Sequence, residues 1–171
     1  ALNPQFDLVC FSYNRVFTAG SEPRKFGLSG TYPPEFIHRR MVGLVGDELA
    51  DPTNANSLVT AWGKLIRRQV LETEHLRFVD TSTVGVEDVL FSIQLLGQVS
   101  TPVLILDEPL YQYRRDNDGS LTTTYRSSLP EKFKALNELI SKEIAEKPSE
   151  FDEALSNRIA LSLYGLALND V

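Results

Sequence analysis

Two adjacent acids at the start of an apolar stretch are the first candidates for chemistry in this sequence. Glu87 and Asp88 follow Gly85, and the apolar residues after them recur with the spacing of a helix that has one buried face. Both carboxylates should therefore lie in the first helical turn, where unpaired N–H groups and the helix dipole favour negative charge. A carboxylate can exchange a proton with a substrate. Capping of a helix is nevertheless the commoner role of acids at this position.

A second candidate group combines a large aromatic side chain with three cations. The only tryptophan, Trp62, lies in a predicted helix over residues 57–70, whose polar side would carry Lys64, Arg67 and Arg68. Spacing alone favours a core tryptophan beside a solvated basic face over a binding role.

A third group follows a predicted strand over residues 110–114. Alternation places Tyr111 and Tyr113 on one face of that strand and Arg114 on the other. The polar, glycine-containing segment 115–122 that follows predicts a mobile loop, which could close over an anionic ligand or could be a solvated turn.

The elements that must position these groups predict a mixed α/β fold. Strands and helices alternate in a pattern typical of a sheet flanked by helices, here a mixed sheet of about three or four strands with a C-terminal helical pair. A kink or bulge is expected at residues 107–109, because Pro109 cannot donate to a ladder. Residues 128–131 read as a capping box. The predicted strands cover residues 6–13, 24–28, 76–80, 102–107 and 110–114, and the predicted helices cover 35–45, 57–70, the stretch after Glu87, 128–146 and 148–168.

Composition excludes several classes of protein. The chain has 171 residues, of which 42% are apolar and 23% charged, enough for one sizeable core. The net charge of −6 argues against nucleic-acid binding. One cysteine, Cys10, cannot form an internal disulfide, and two histidines do not make a zinc pattern. No apolar run has the length of a membrane span, and no signal peptide is evident. We therefore expect a cytoplasmic protein, with the inner face of the membrane as the alternative location.

The order of these motifs resembles the second half of bacterial family 2 glycosyltransferases of the A-type fold. The succession is a strand, Trp62-Gly63-Lys64-Leu65, a helix opened by Gly85-Val86-Glu87-Asp88, a strand ending in Leu110-Tyr111-Gln112-Tyr113-Arg114, and Gly119-Ser120-Leu121-Thr122. The resemblance covers residues 6–123 and rests on the ordered set, since no single motif is specific. It implies a fragment of the A-type glycosyltransferase fold, with an acceptor-side half at residues 1–126 and a helical extension at 127–171.

The resemblance also implies roles for individual residues. Asp88 matches the general base that deprotonates the acceptor hydroxyl, with Glu87 as its neighbour. Trp62 and Lys64 match an element on the acceptor side, while Arg114, Arg115 and Ser120 match a loop that meets the donor diphosphate. The substrates would be a nucleotide-sugar donor and a glycan or lipid-linked acceptor in polysaccharide, lipopolysaccharide or capsule synthesis, and inversion is the family expectation.

The family's nucleotide-binding half and its Asp-x-Asp metal motif have no counterpart before Phe6. The parent enzyme would use Mg²⁺ or Mn²⁺, but this chain would hold no metal and would be inactive alone. Asp116-Asn117-Asp118 matches the Asp-x-Asp pattern, but it lies after the helix of Glu87 and Asp88 and not at the end of a nucleotide-binding strand. We therefore interpret it as a turn. Two alternatives remain: a non-catalytic module that binds glycan or pairs with itself through an edge strand at residues 7–13 or its C-terminal helices, and a structural domain in which the acids only cap a helix.

Overall fold

A five-stranded mixed sheet forms the centre of the chain, as seen in a computed structural model that describes residues 5–115 and 128–169. This confirms the predicted α/β class with a mixed sheet. The strands are β1 (Leu8–Phe17), β2 (Gly20–Arg24), β3 (Gly30–Tyr32), β4 (Lys64–Ile66) and β5 (Val103–Arg114).

The sheet is organised around β1. It pairs in parallel with β5 along one edge, and its other edge pairs antiparallel with β4 near its start and with β2 near its end. β3 lies antiparallel on the far side of β5. The expectation that residues 7–13 form an exposed edge strand is therefore wrong. A strand with an apolar start, such as Leu8 to Cys10, is most stable where both edges are paired and both faces are covered.

The predicted irregularity at Pro109 is confirmed, within one continuous strand rather than two. Phe11 pairs with Leu106 but Ser12 pairs with Pro109, so β5 contains extra residues at this point. Asp107, inside the bulge, accepts a hydrogen bond from the Phe26 N–H at 2.7 Å.

Six helices and three short 3-10 helices surround the sheet in the described part of the chain. The four longest α-helices share one apolar core with β1 and β5. None of the described helices combines the length and hydropathy that a bilayer span requires. The α-helices are α1 (Pro34–Val42), α2 (Arg68–Thr73), α3 (Thr81–Val84), α4 (Glu87–Gln98), α5 (Leu129–Glu143) and α6 (Glu150–Asn169), and the 3-10 helices are Gly46–Ala50, Pro52–Asn54 and Ala61–Gly63.

The predicted helix at 57–70 is wrong. The chain there forms an irregular loop, the 3-10 helix Ala61–Gly63 and the strand β4, and α2 begins only at Arg68. The edge of β1 explains this, since the N–H and C=O groups of Leu8 to Cys10 need partners and the backbone of β4 supplies them. Local periodicity could not reveal that requirement.

Three smaller predictions also fail. Residues 76–80 form no strand, and Phe78 instead stacks on Phe91 with ring centroids 4.1 Å apart. The stretch 24–28 lies between β2 and β3 and joins β2 only at Arg24. Ser128 makes no capping hydrogen bond, because its φ of −86° and ψ of 2° are not the extended geometry of a capping serine.

Candidate active site

Glu87 and Asp88 occupy the first turn of α4, as the sequence predicts. The turn is built by local signals: the Asp80 carboxylate caps α3 through the Ser82 N–H at 2.7 Å, and Gly85 then reverses the chain at a φ of 75°. A left-handed residue at this point is most easily a glycine. The short helix α3 and the turn at Gly85 thus place both acids, half-buried, in the lining of a cleft.

One oxygen of Asp88 is held by the backbone. Its Oδ2 accepts a hydrogen bond from the Ala61 N–H at 3.1 Å, which ties α4 to the loop that carries Trp62. Among the residues that the structure describes, Oδ1 has no hydrogen-bond partner. The carboxylate is therefore oriented through one oxygen and presents the other for a ligand.

The cleft has a volume of about 790 Å³, within the range of small-molecule sites. Its walls come from the loop before Ala61, α3, the start of α4, and the facing sides of α5 and α6. The polar lining includes Asn56, Thr60, Thr81, Ser82, Glu87, Asp88, Lys132, Arg158 and Ser162, and the apolar lining includes Val59, Val86, Val89, Leu129, Phe133 and Leu136.

Lys64 lies beneath this site rather than on a solvated basic face, so that part of the prediction is wrong. Its side chain is buried, and Nζ donates hydrogen bonds to the carbonyls of Leu58 at 2.7 Å and Thr60 at 2.6 Å. Burial lowers the pKa of Lys64 to about 8, while the nearby Cys10 and Asp88 act to raise it. Lys64 therefore fixes the loop from within and lies within electrostatic reach of the Asp88 carboxylate.

Trp62 packs into an aromatic cluster beside the cleft. Its ring stacks on Tyr111 at 4.5 Å and on Tyr113 at 5.4 Å, and meets Tyr13 edge-on at 4.7 Å. The predicted placement of Tyr111 and Tyr113 on one face of their strand is thereby confirmed. Trp62 is not among the residues that line the cleft, so its described contacts are those of a packing residue.

Two of the residues predicted for the donor side, Arg114 and Arg115, lie away from this cleft. Arg114 and Arg115 are exposed at the end of β5, and the Arg115 guanidinium lies 5.9 Å from the Tyr113 ring centroid. Neither lines the Asp88 cleft. Ser120 and Asp116-Asn117-Asp118 fall outside the described residues.

Sequence reasoning missed two cationic residues of the cleft, Lys132 and Arg158. Arg158 had a detectable signal, because it stands between Leu155 and Ile159 on the apolar side of α6, where a charge needs an explanation. Lys132 had none, since lysines are common on helix surfaces.

Within residues 5–115 and 128–169, no group of three or more His, Cys, Asp or Glu side chains is arranged to hold a metal ion. No protein-family model and no curated protein sequence matches the chain. The candidate site therefore rests on its own geometry.

Proposed function

We propose that this chain supplies the acceptor side of a family 2 glycosyltransferase, with Asp88 as the general base. The observation that carries the proposal is the position of the Asp88 carboxylate: it is fixed through Oδ2 and open through Oδ1 on the wall of a cleft large enough for a sugar. The succession of motifs around it, which resembles that family, supplies the reaction class.

The chemistry requires little of the protein beyond this arrangement. In the proposed step, Oδ1 of Asp88 takes the proton of an acceptor hydroxyl as its oxygen forms a bond to the anomeric carbon of the donor sugar. The bond from that carbon to the diphosphate breaks in the same displacement, and the nucleoside diphosphate leaves with the electron pair. A single displacement inverts the anomeric centre.

The surroundings of Asp88 favour a fixed orientation. The Ala61 N–H binds one carboxylate oxygen, and Lys64 immobilises the same loop through two carbonyls. A base held in one geometry loses less entropy when the acceptor reaches it. Glu87 lines the same cleft and would contact the acceptor without accepting its proton.

The donor side of the proposal rests on the resemblance alone. Arg114, Arg115 and Ser120 would meet the diphosphate of the nucleotide sugar, because guanidinium groups pair well with phosphate oxygens. A divalent metal bound outside this chain would complete that side.

The test is sugar transfer or donor hydrolysis by the full gene product, with divalent metal added, comparing wild type with Asp88→Asn. The asparagine keeps an oxygen for the Ala61 N–H, so the fold should persist while turnover falls about 10²- to 10⁴-fold. Asp80→Asn is the matched control, because it changes an exposed acid outside the cleft and retains a capping side chain. Turnover of Asp88→Asn at the wild-type rate would reduce the pair of acids to a helix cap.

A second candidate, a glycan-binding module without catalysis, is supported by the aromatic cluster. Tyr111 is 38% exposed and lies over Trp62, and aromatic faces of this kind stack well on sugar rings. Two results together would favour this alternative. Glycan binding should weaken in Tyr111→Ala but stay unchanged in Asp88→Asn, and neither wild type nor Asp88→Asn should show turnover.

A further inference from the structure

Arg158 is a buried cation that lines the same cleft as the acids. Only 6% of its surface is exposed, and its guanidinium donates to the carbonyls of Met41 at 2.8 Å, Ala55 at 3.4 Å and Val42, and to Oδ1 of Asn56 at 2.9 Å. Two of these carbonyls end α1, so the arginine caps that helix. Its four acceptors leave one of the five guanidinium N–H groups, on Nη1, without an acceptor in the described part of the chain.

The acceptors of Arg158 are all neutral, which distinguishes it from the other buried arginines. Arg39 lies 2.5 Å from the Glu48 carboxylate and 3.1 Å from that of Glu150, and Arg40 lies 3.5 Å from Glu48. No carboxylate of the described residues forms an ion pair with Arg158. Its charged neighbour is Arg40, and burial together with that neighbour lowers the pKa of Arg158 to about 10.

Even at a pKa of about 10 the guanidinium is charged at neutral pH. Buried charges in proteins are normally paired or bound to a ligand of opposite charge. The cap on α1 accounts for two of the four hydrogen bonds of Arg158, since cations are favourable at a helix C-terminus, but dipoles only partly balance a full charge. Arg158 lines the cleft, so an anionic ligand bound there would supply the missing charge.

We propose that the cleft binds an acceptor that carries an oxyanion, and that Arg158 is the positioning residue that receives it. The chemical class is a hydroxylated ring with a carboxylate or a phosphate, as in an acidic sugar or a sugar phosphate. The acids come from the first turn of α4 and Arg158 from the middle of α6, and all three line one cleft, so such a ligand can present a hydroxyl to the acids and its charge to Arg158. Lys132, whose Nζ donates to the Thr81 carbonyl at 3.3 Å, adds a second cation to the same lining.

This inference rests on the proposed function, which makes the bound ligand the acceptor substrate, but its test measures binding and does not need turnover. Binding of D-glucuronate, glucose 6-phosphate and methyl glucoside to the chain would be measured by calorimetry or NMR titration at low salt. A charged hydrogen bond of about 1.5–3 kcal/mol predicts about 10- to 100-fold tighter binding of at least one charged ligand than of the neutral one. Preference for the carboxylate or the phosphate identifies the source of the oxyanion. Equal binding of all three, or binding of none, overturns the inference.

Two variants separate the charge of Arg158 from its structural role. Arg158→Met should abolish the preference for the charged ligand, so that it binds no more tightly than methyl glucoside does. Lys134→Gln, which removes an exposed charge outside this cleft, should retain the preference. An equal loss for charged and neutral ligands in Arg158→Met refutes the assignment, and if that variant does not fold, the selectivity of the wild type decides. If the charged ligands show no preferential binding but Asp88→Asn is still inactive in sugar transfer, only the inference of an anionic acceptor is refuted. The transferase proposal then stands.

Discussion

His38 should make this protein sensitive to mild acid. The side chain lies on α1 with 2% of its surface exposed, and neither ring nitrogen has a hydrogen-bond partner among the described residues. Its ring meets the edge of Phe151 with centroids 5.2 Å apart. Burial and the charge of Lys147 lower the pKa of His38 to about 4, against the opposing charge of Glu35.

The sign of the effect follows from the two states. The unfolded chain binds a proton at His38 with the ordinary pKa of 6.5, whereas the folded chain does so only at about 4. Above 6.5 the imidazole is neutral in both states and costs nothing. As the pH falls from 6.5 to 4, the unfolded state alone gains the proton, so stability is lost. At about 1.4 kcal/mol for each pH unit, the full loss is roughly 3 kcal/mol, of which roughly 2 kcal/mol is reached near pH 5.

The assay is urea unfolding of wild type and His38→Leu near pH 7.5 and near pH 5. Leucine has a similar volume and no titrating group, so the variant should lose roughly 2 kcal/mol less than wild type between the two pH values. The other histidine supplies the control: His75 is exposed with a φ of 51°, and His75→Asn suits that backbone and should behave like wild type. Parallel losses in wild type and His38→Leu would refute the reasoning, because carboxylates titrate equally in both.

Two further predictions concern packing and the buried lysine. Gly43→Ala should destabilise the fold by roughly 3 kcal/mol or more in urea unfolding, because the new Cβ would lie 1.9 Å from the Ala154 carbonyl oxygen. The control is Gly97→Ala in α4, whose Cβ would make only an ordinary 3.8 Å contact, so that variant should be neutral or mildly stabilising. Equal losses of stability in the two variants would contradict this reasoning. The lowered pKa of Lys64 predicts that stability rises with pH between about 8 and 10.5, where only the unfolded state keeps the proton. Wild type should therefore gain roughly 1 kcal/mol relative to Lys64→Met between about pH 7.5 and 9, and no relative gain would show that burial costs the lysine little.

The sequence by itself determined the elements whose signals are local. The helix that begins with Glu87 and Asp88 has an apolar face and favourable charge in its first turn, so the place of both acids in that turn could be predicted. The bulge before Pro109 followed from a missing donor, and the apolar and aromatic stretch before Tyr13 was predicted as a strand. These features depend on properties of neighbouring residues, which a sequence displays directly.

The tertiary structure decided what depends on distant partners. The apolar stripe at 57–70 has the spacing of a helix, but Lys64 pairs with the edge of β1 as part of a strand. Trp62 then packs on the tyrosines of β5. The same step buries a lysine that amphipathic spacing places in solvent. Arg158 joins Asp88 in one cleft across 70 residues of chain because α6 packs on α1. A pattern of period 3.6 or 2 predicts which face of an element is buried. The backbone groups that pair with the element and the charges that contact it belong to distant residues, so the local pattern does not predict them.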